Sequence, residues 1–187
     1  MAASYRTERR ALVDTLNGLT PDEFDHGTTL CEGWAPRDVF AHLLGIDRAL
    51  PTYFKALGNT RKANAQLVAD VAELSREEML SRAETWAATP ARHALAAAPM
   101  LIGDLGIHHQ DIVRGLCRTR DVPPVIAGAI LREGLLLGGF LKLRSHRIAP
   151  VDGGRALGRG TRVSGTRESL GLWLSGRRGL ENELTFG

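Results

Sequence analysis

Apolar residues recur at helical spacing over most of the chain. Ala11, Leu12, Leu16 and Leu19 line one side of a first helix predicted over 4–18. Thr20-Pro21-Asp22-Glu23 then reads as a compact helix start, with a capping Thr, Pro at the first helical position and Glu three residues after the cap. After a loop over 25–34, Pro36 opens a strong helix to about 50, with Asp38 in the first turn, where the helix dipole favours an acid. Val39, Leu43, Ile46 and Leu50 form its core stripe, and Pro51 is expected to kink or restart it. Further helix is expected over 60–73, and Ser75-Arg76-Glu77-Glu78 is a second capping box for a helix to about 88. The alanine-rich stretch 89–99, with two prolines, reads as a connector. Leu101, Leu105, Ile112 and Leu116 define a helix over 100–116, and Pro123-Pro124 opens another over 124–145.

Past 145 the pattern changes. Strands are predicted over 147–151 and 161–164 around a turn rich in glycine, followed by a last helix over 166–175. No internal repeat or low-complexity tract interrupts the sequence. The fold class is therefore mainly α: a helical part over 1–145 and a small C-terminal α/β segment over 146–187.

Composition narrows the classes. The 187 residues are 43% hydrophobic and 24% charged, enough apolar material for a sizeable core. The N-terminal ten residues lack the apolar stretch of a secretory signal. The longest apolar run, near 135–137, is soon broken by Gly138-Gly139, so no membrane span is expected and a cytoplasmic location is. Cys31 and Cys117 have no CxxC spacing and make no disulfide framework; each reads as a small buried hydrophobe or a free thiol. Net charge is +3, but residues 142–178 hold nine Lys/Arg against Asp152 and Glu168, a local +7 that leaves −4 elsewhere. Such a segment suits an anionic partner, either nucleic acid or a small carboxylate. With Phe140 nearby and Trp173 within it as the aromatics, and no recognisable motif, it does not read as a nucleic-acid surface.

Position on the helices sorts the six histidines. His108 sits on the apolar stripe of the 100–116 helix, and Asp104 lies one turn before it, so the two side chains point to one place. His42 falls within the core stripe of the 36–50 helix. Taken singly, each reads as a hydrogen-bonded core side chain. Taken together they differ: a buried acid is costly without a partner, and two neutral nitrogens plus one carboxylate oxygen form a catalytic zinc pattern. Asp111, three residues after His108, is placed to hold a neighbouring imidazole from behind.

The segment Thr29-Leu30-Cys31-Glu32-Gly33-Trp34-Ala35-Pro36-Arg37-Asp38-Val39-Phe40-Ala41-His42-Leu43 resembles the opening signature of the mycothiol-dependent maleylpyruvate isomerase family: a small polar residue, Cys, any residue, Gly-Trp, then "RD…AHL". Gly103-Asp104 through His108-His109-Gln110-Asp111 resembles its second signature, an acid four residues before the His of "HxxD". Gly160–Gly165 and Leu172–Arg177 are similar to its C-terminal pattern. The resemblance spans nearly the whole chain. It implies a DinB-like four-helix bundle holding one divalent metal, usually zinc, on His42, Asp104 and His108. It also implies mycothiol, or a similar low-molecular-weight thiol, as isomerase cofactor or transferred nucleophile. Two departures stand out. Asp104 replaces the Glu of the best-known isomerases, one methylene longer, which makes His109 the first alternative for a third ligand. Ala35 replaces the usual capping Ser or Thr, at about 1 kcal/mol.

The expected function is therefore a metal-dependent thiol transferase or isomerase acting on a small electrophile. Arg177, in the matched Gly-Arg, is the first choice to hold a carboxylate of substrate or thiol, although taken alone it reads first as a surface charge near a helix end. The expected partners are that electrophile and the thiol, with no nucleic acid and no membrane, in a monomer or homodimer. The alternative is a non-catalytic metal-binding or interaction module of the same fold.

Overall fold

Two helices of the first hundred residues begin on reciprocal capping boxes. In the computed structural model, which describes residues 1–55 and 60–187, α1 covers Ala2–Asn17 and buries Tyr5, Leu12, Val13 and Leu16. Glu8 and Arg9 are buried on the same helix. α2 (Pro21–His26) starts on the expected capping box: the Glu23 N–H donates to Thr20 Oγ1 at 3.2 Å, and the Thr20 N–H to the Glu23 carboxylate at 2.9 Å. Ser75 and Glu78 repeat the reciprocal pair at 3.2 and 2.8 Å where α5 (Arg76–Ala88) begins.

α3 (Pro36–Lys55) runs past its expected end. Val39 and Leu43 are buried as predicted; the side chains of Ile46, Leu50 and Pro51 lie outside the described residues. Ala35 has no side chain to cap with, yet half of a capping box survives, because the Ala35 N–H donates to Asp38 Oδ2 at 3.0 Å. α4 (Thr60–Ala69) is shorter than expected. The expected connector contains a short helix, α6 (Arg92–Ala96), and α7 (Ala98–Gly115) starts ahead of Pro99, which is tolerated in a first turn because its missing N–H has no intrahelical partner there. The predicted one-sided stripe on α7 is also corrected. Apart from Asp104, which is half-buried, every residue of α7 over 102–113 is buried, so this helix is enclosed all round.

The chain divides into two compact units: Met1–Ala98 with His108–Thr119, and Pro99–Ile107 with Arg120–Gly187. In the first unit α1 packs on α5, α3 on α4 and α5, and α2 against α3 and α5. In the second, α8 (Pro124–Gly134) packs on α10 (Arg167–Leu174). The helix expected over 124–145 is interrupted: a wider π-type turn over Leu135–Gly139 precedes α9 (Phe140–Lys142), and Gly138 takes a φ of 124° that a side-chain-bearing residue rarely adopts. By length and composition alone the 19-residue run Pro124–Lys142 is apolar enough to cross a membrane, a test that buried core helices also pass.

The C-terminal sheet has four strands where two were expected: β1 (His146–Pro150), β2 (Leu157–Gly158), β3 (Thr161–Gly165) and β4 (Thr185–Phe186), in the order β2-β1-β3-β4. β1 and β3 are parallel; the outer pairs are antiparallel. β2 and β4 have two residues each, too few to show a period in the sequence. Thr166 caps α10 by accepting from the Ser169 N–H at 3.1 Å. The molecule is mainly α with a small C-terminal sheet.

Candidate metal centre

The site is assembled by a tight turn and by α3 and α7. The Trp34 N–H donates to Cys31 O at 3.0 Å, and Gly33 at the third turn position has φ 79°, the left-handed conformation that a type II turn demands. The turn is fixed to α7 from outside: the Leu30 N–H donates to Asp111 O at 3.0 Å and Thr28 Oγ1 to Gly115 O at 2.6 Å. Gly115 permits this approach, since a Cβ there would lie 2.3 Å from Thr29 Cα. Thr29 Oγ1 donates to Trp34 O at 2.8 Å and closes the loop on itself.

The loop thereby brings Cys31 and Trp34 against two imidazoles. His42, on the buried face of α3 beside Val39 and Leu43, is 3% exposed, and His108 on α7 is 7% exposed. Their ring centroids are 4.8 Å apart at 72°. The Trp34 ring lies over both, 5.6 Å from His42 and 6.3 Å from His108. Trp34 therefore borders the site.

Asp111 is fully buried. Its Oδ2 lies 2.8 Å from His108 Nδ1 and accepts from Cys31 Sγ at 3.0 Å, while that sulfur is 3.6 Å from Nδ1. A carboxylate only accepts, so the imidazole proton belongs on Nδ1 and Nε2 becomes the electron-pair donor of the ring. Asp104 lies one turn earlier on α7, with Oδ2 shut off from solvent. One ligand atom from each of His42, Asp104 and His108 falls within 4.8 Å of the others. Cys31, His108 and Asp111 satisfy the same test, with His108 common to both groups. The two nitrogens and one carboxylate oxygen of the first group fit a divalent ion such as zinc.

His109, the first alternative for a third ligand, is engaged elsewhere. Its Nδ1 lies 2.8 Å from Glu8 Oε1 and its Nε2 2.8 Å from Thr15 Oγ1, both on α1. Arg177, at the end of α10, donates from Nη1 to Ser175 O at 3.3 Å. The sequence reading missed Cys31 as a partner of Asp111 and Gly115 as the seat of the loop. The spacing Cys-x-Gly-Trp was the available signal for the first; nothing local signalled the second.

A family model described as the mycothiol maleylpyruvate isomerase N-terminal domain matches residues 5–113, more than half of the chain. No curated protein sequence matches. Among solved structures, the fold is similar to a crystal structure of the mycothiol-dependent maleylpyruvate isomerase in a histidine-to-alanine mutant form, with TM-score 0.70 and 15% identity, covering 100% of this chain and 93% of that one. A second crystal structure of the mycothiol-dependent maleylpyruvate isomerase gives TM-score 0.69 and 16% identity over the same shares. By the match to 5–113, this chain belongs to the mycothiol maleylpyruvate isomerase N-terminal domain family.

Proposed function

We propose that His42, Asp104 and His108 hold one divalent cation, most naturally zinc, and that the protein does thiol-linked chemistry on a small electrophile there. The observation that carries this is the meeting of two imidazole nitrogens and one carboxylate oxygen within 4.8 Å, with Asp111 behind His108. Mycothiol is the thiol proposed, because the family carries it in its name and both similar crystal structures are of an isomerase dependent on it. The reaction proposed is isomerisation or transfer: a thiolate adds to an electrophilic carbon and either stays or, after rotation about the former double bond, leaves again.

What the ion supplies when bound is Lewis acidity, which favours the thiolate near neutral pH. The chain's own residues do the rest. Asp111 keeps the Nδ1 proton of His108 in place and so fixes the ring's orientation. Trp34 shields one side of both imidazoles from water. Asp104 contributes the negative charge, on a side chain one methylene shorter than Glu. Arg177 is proposed to hold a carboxylate of substrate or thiol, supported by the excess of cations over 142–178.

Metal analysis of protein purified without a histidine tag tests the first step. Near-stoichiometric zinc or another first-row divalent ion is expected, and His42→Ala or His108→Ala abolishes it; full occupancy surviving in either variant would sink the reading. An assay with mycothiol and maleylpyruvate tests the second. Isomerisation or conjugation would support the second step; metal-loaded protein inert toward this and other small electrophiles would favour the alternative, a non-catalytic metal-binding module.

A further inference from the structure

The segment from Gly134 to Lys142 is packed inside out. Gly134 and Gly139 are its buried residues, while Leu136, Leu137, Phe140 and Leu141 are 72, 53, 70 and 67% exposed. The glycines explain why. A Cβ on Gly134 would lie 2.1 Å from Gly171 O, one on Gly171 would lie 2.5 Å from Ile130 O, and one on Gly139 would lie 2.8 Å from Leu174 Cβ. α8 and the turn after it thus rest backbone-to-backbone on α10, and no rotation of the segment exchanges its glycine face for its leucine face. Four large apolar side chains on the two sides of the Gly138 break are committed to the outside.

Cations gather where this face ends. Arg144 follows it directly. Arg159 is tied to the same place by its N–H, which donates to Leu143 O at 3.1 Å. Arg147 and Arg162 stand opposite each other in the parallel β1–β3 register. All four side chains are exposed, and among the described residues none of the four is in an ion pair. Like charges placed opposite each other on neighbouring strands are destabilising, a cost that an anionic partner would remove. An apolar face beside unneutralised arginines has the chemistry of a surface that enters the headgroup layer of an anionic bilayer.

We infer that the Leu136–Leu141 face, with Arg144, Arg147, Arg159 and Arg162, docks the protein on an anionic lipid surface. The contact is peripheral. The helix is broken at Gly138 and its other side is occupied by α10, so it does not span. The sequence-based expectation of no membrane partner rested on the want of a spanning segment, which does not bear on surface docking. A nucleic acid offers nothing to four leucine and phenylalanine side chains, and a second copy would bring the arginine clusters together. The inference is independent of the metal reading.

The experiment is flotation of the full chain with phosphatidylcholine vesicles, with and without phosphatidylglycerol. Binding is expected with phosphatidylglycerol only, and it weakens as salt rises. Leu136→Ser with Phe140→Ser should reduce it at least about tenfold, and Arg144→Glu with Arg147→Glu by roughly tenfold or more at low salt. The thermal unfolding midpoint should hold in both double variants, because these side chains sit in solvent. Failure to float with phosphatidylglycerol vesicles overturns the inference, as does flotation that Leu136→Ser with Phe140→Ser leaves unchanged. A lipid-free dimer that this double variant dissociates would assign the face to a second copy and overturn it as well.

Discussion

Two parts of this chain invert the usual distribution of residues, in opposite directions. Around α7 the protein buries polar, ionisable side chains: Asp111, His42, His108, His109 and Glu8 are each 7% exposed or less. Along 134–142 it buries glycines and exposes leucines. Burying polar groups is tolerable only when each is held, and here they are, His108 by Asp111 and His109 by Glu8 and Thr15. The apolar exposure has no such compensation inside the chain. The first inversion is met by partners within the chain; the second is the one for which an anionic surface is proposed above.

The comparison predicts where substitutions hurt most. Glu8→Ala leaves His109 buried without its carboxylate and should cost about 3–5 kcal/mol of stability in a denaturant titration; a loss below about 1 kcal/mol would mean that the polar network is not what holds α1 to α7. Gly171→Ala should come next, at roughly 3 kcal/mol, the upper end of overpacking costs, because the neighbours met at 2.5 to 2.7 Å are backbone atoms that cannot turn aside. A variant as stable as the parent would show that the α8–α10 packing yields and that the exposed face is not fixed by it.

Asp111→Asn should lower metal affinity roughly 10- to 100-fold in a chelator competition, while the folded state survives. Asp104→Asn should also weaken binding, and Asp104→Glu should be tolerated. If the Asn variant at 104 binds as tightly as the parent, Asp104 is not a ligand; the geometry then favours the Cys31 group over His109, whose ring is bound to α1. Arg177→Ala should be smaller, raising KM for an anionic substrate about tenfold, the worth of one charge-assisted hydrogen bond near 1.5 kcal/mol, with a shallow salt dependence. An unchanged KM removes Arg177 from substrate binding and leaves the metal reading standing.

The smallest effect is on acid stability. Hydrogen bonds from Arg10 and then Asn17 hold the Glu84 carboxyl down at about 2 from its ordinary 4.5, and those from Thr20 and Ser75 lower Glu23 and Glu78. Each folded-state value lies below the unfolded one, so the unfolded chain binds more protons as pH falls. The stabilisation is complete above about 4.5 and, for Glu84, is lost as pH drops through about 2. Glu84→Gln should flatten the acid limb of the stability profile; an unaltered limb would show that the Arg10–Glu84 link between α1 and α5 contributes nothing to it.

Much of this was legible beforehand because the signals are local. The Thr20 and Ser75 capping boxes involve four residues each, and both form as read. Asp104 and His108 share one helix face by spacing alone, and Asp111 stands three residues behind His108 as expected. The interruption over 135–139 is less legible: Gly138-Gly139 ends an apolar run in the sequence, but whether the helix continues through a glycine or breaks there, as it does at Gly138 with φ 124°, is not set by local pattern.

The sequence by itself determined the mainly α class, the two capping boxes and the shared helix face of Asp104 and His108, because capping, periodicity and i,i+4 neighbourhood act within a few residues. Only the tertiary structure brings the His42 ring to that of His108, with 4.8 Å between centroids, and seats His109 on Glu8. Only there does Cys31, 80 positions from Asp111 along the chain, meet its carboxylate. The same holds for the outward face of Leu136–Leu141: a leucine is apolar wherever it stands, and here its exposure is set by backbone contacts of Gly134, Gly139 and Gly171, which no pattern of side chains records.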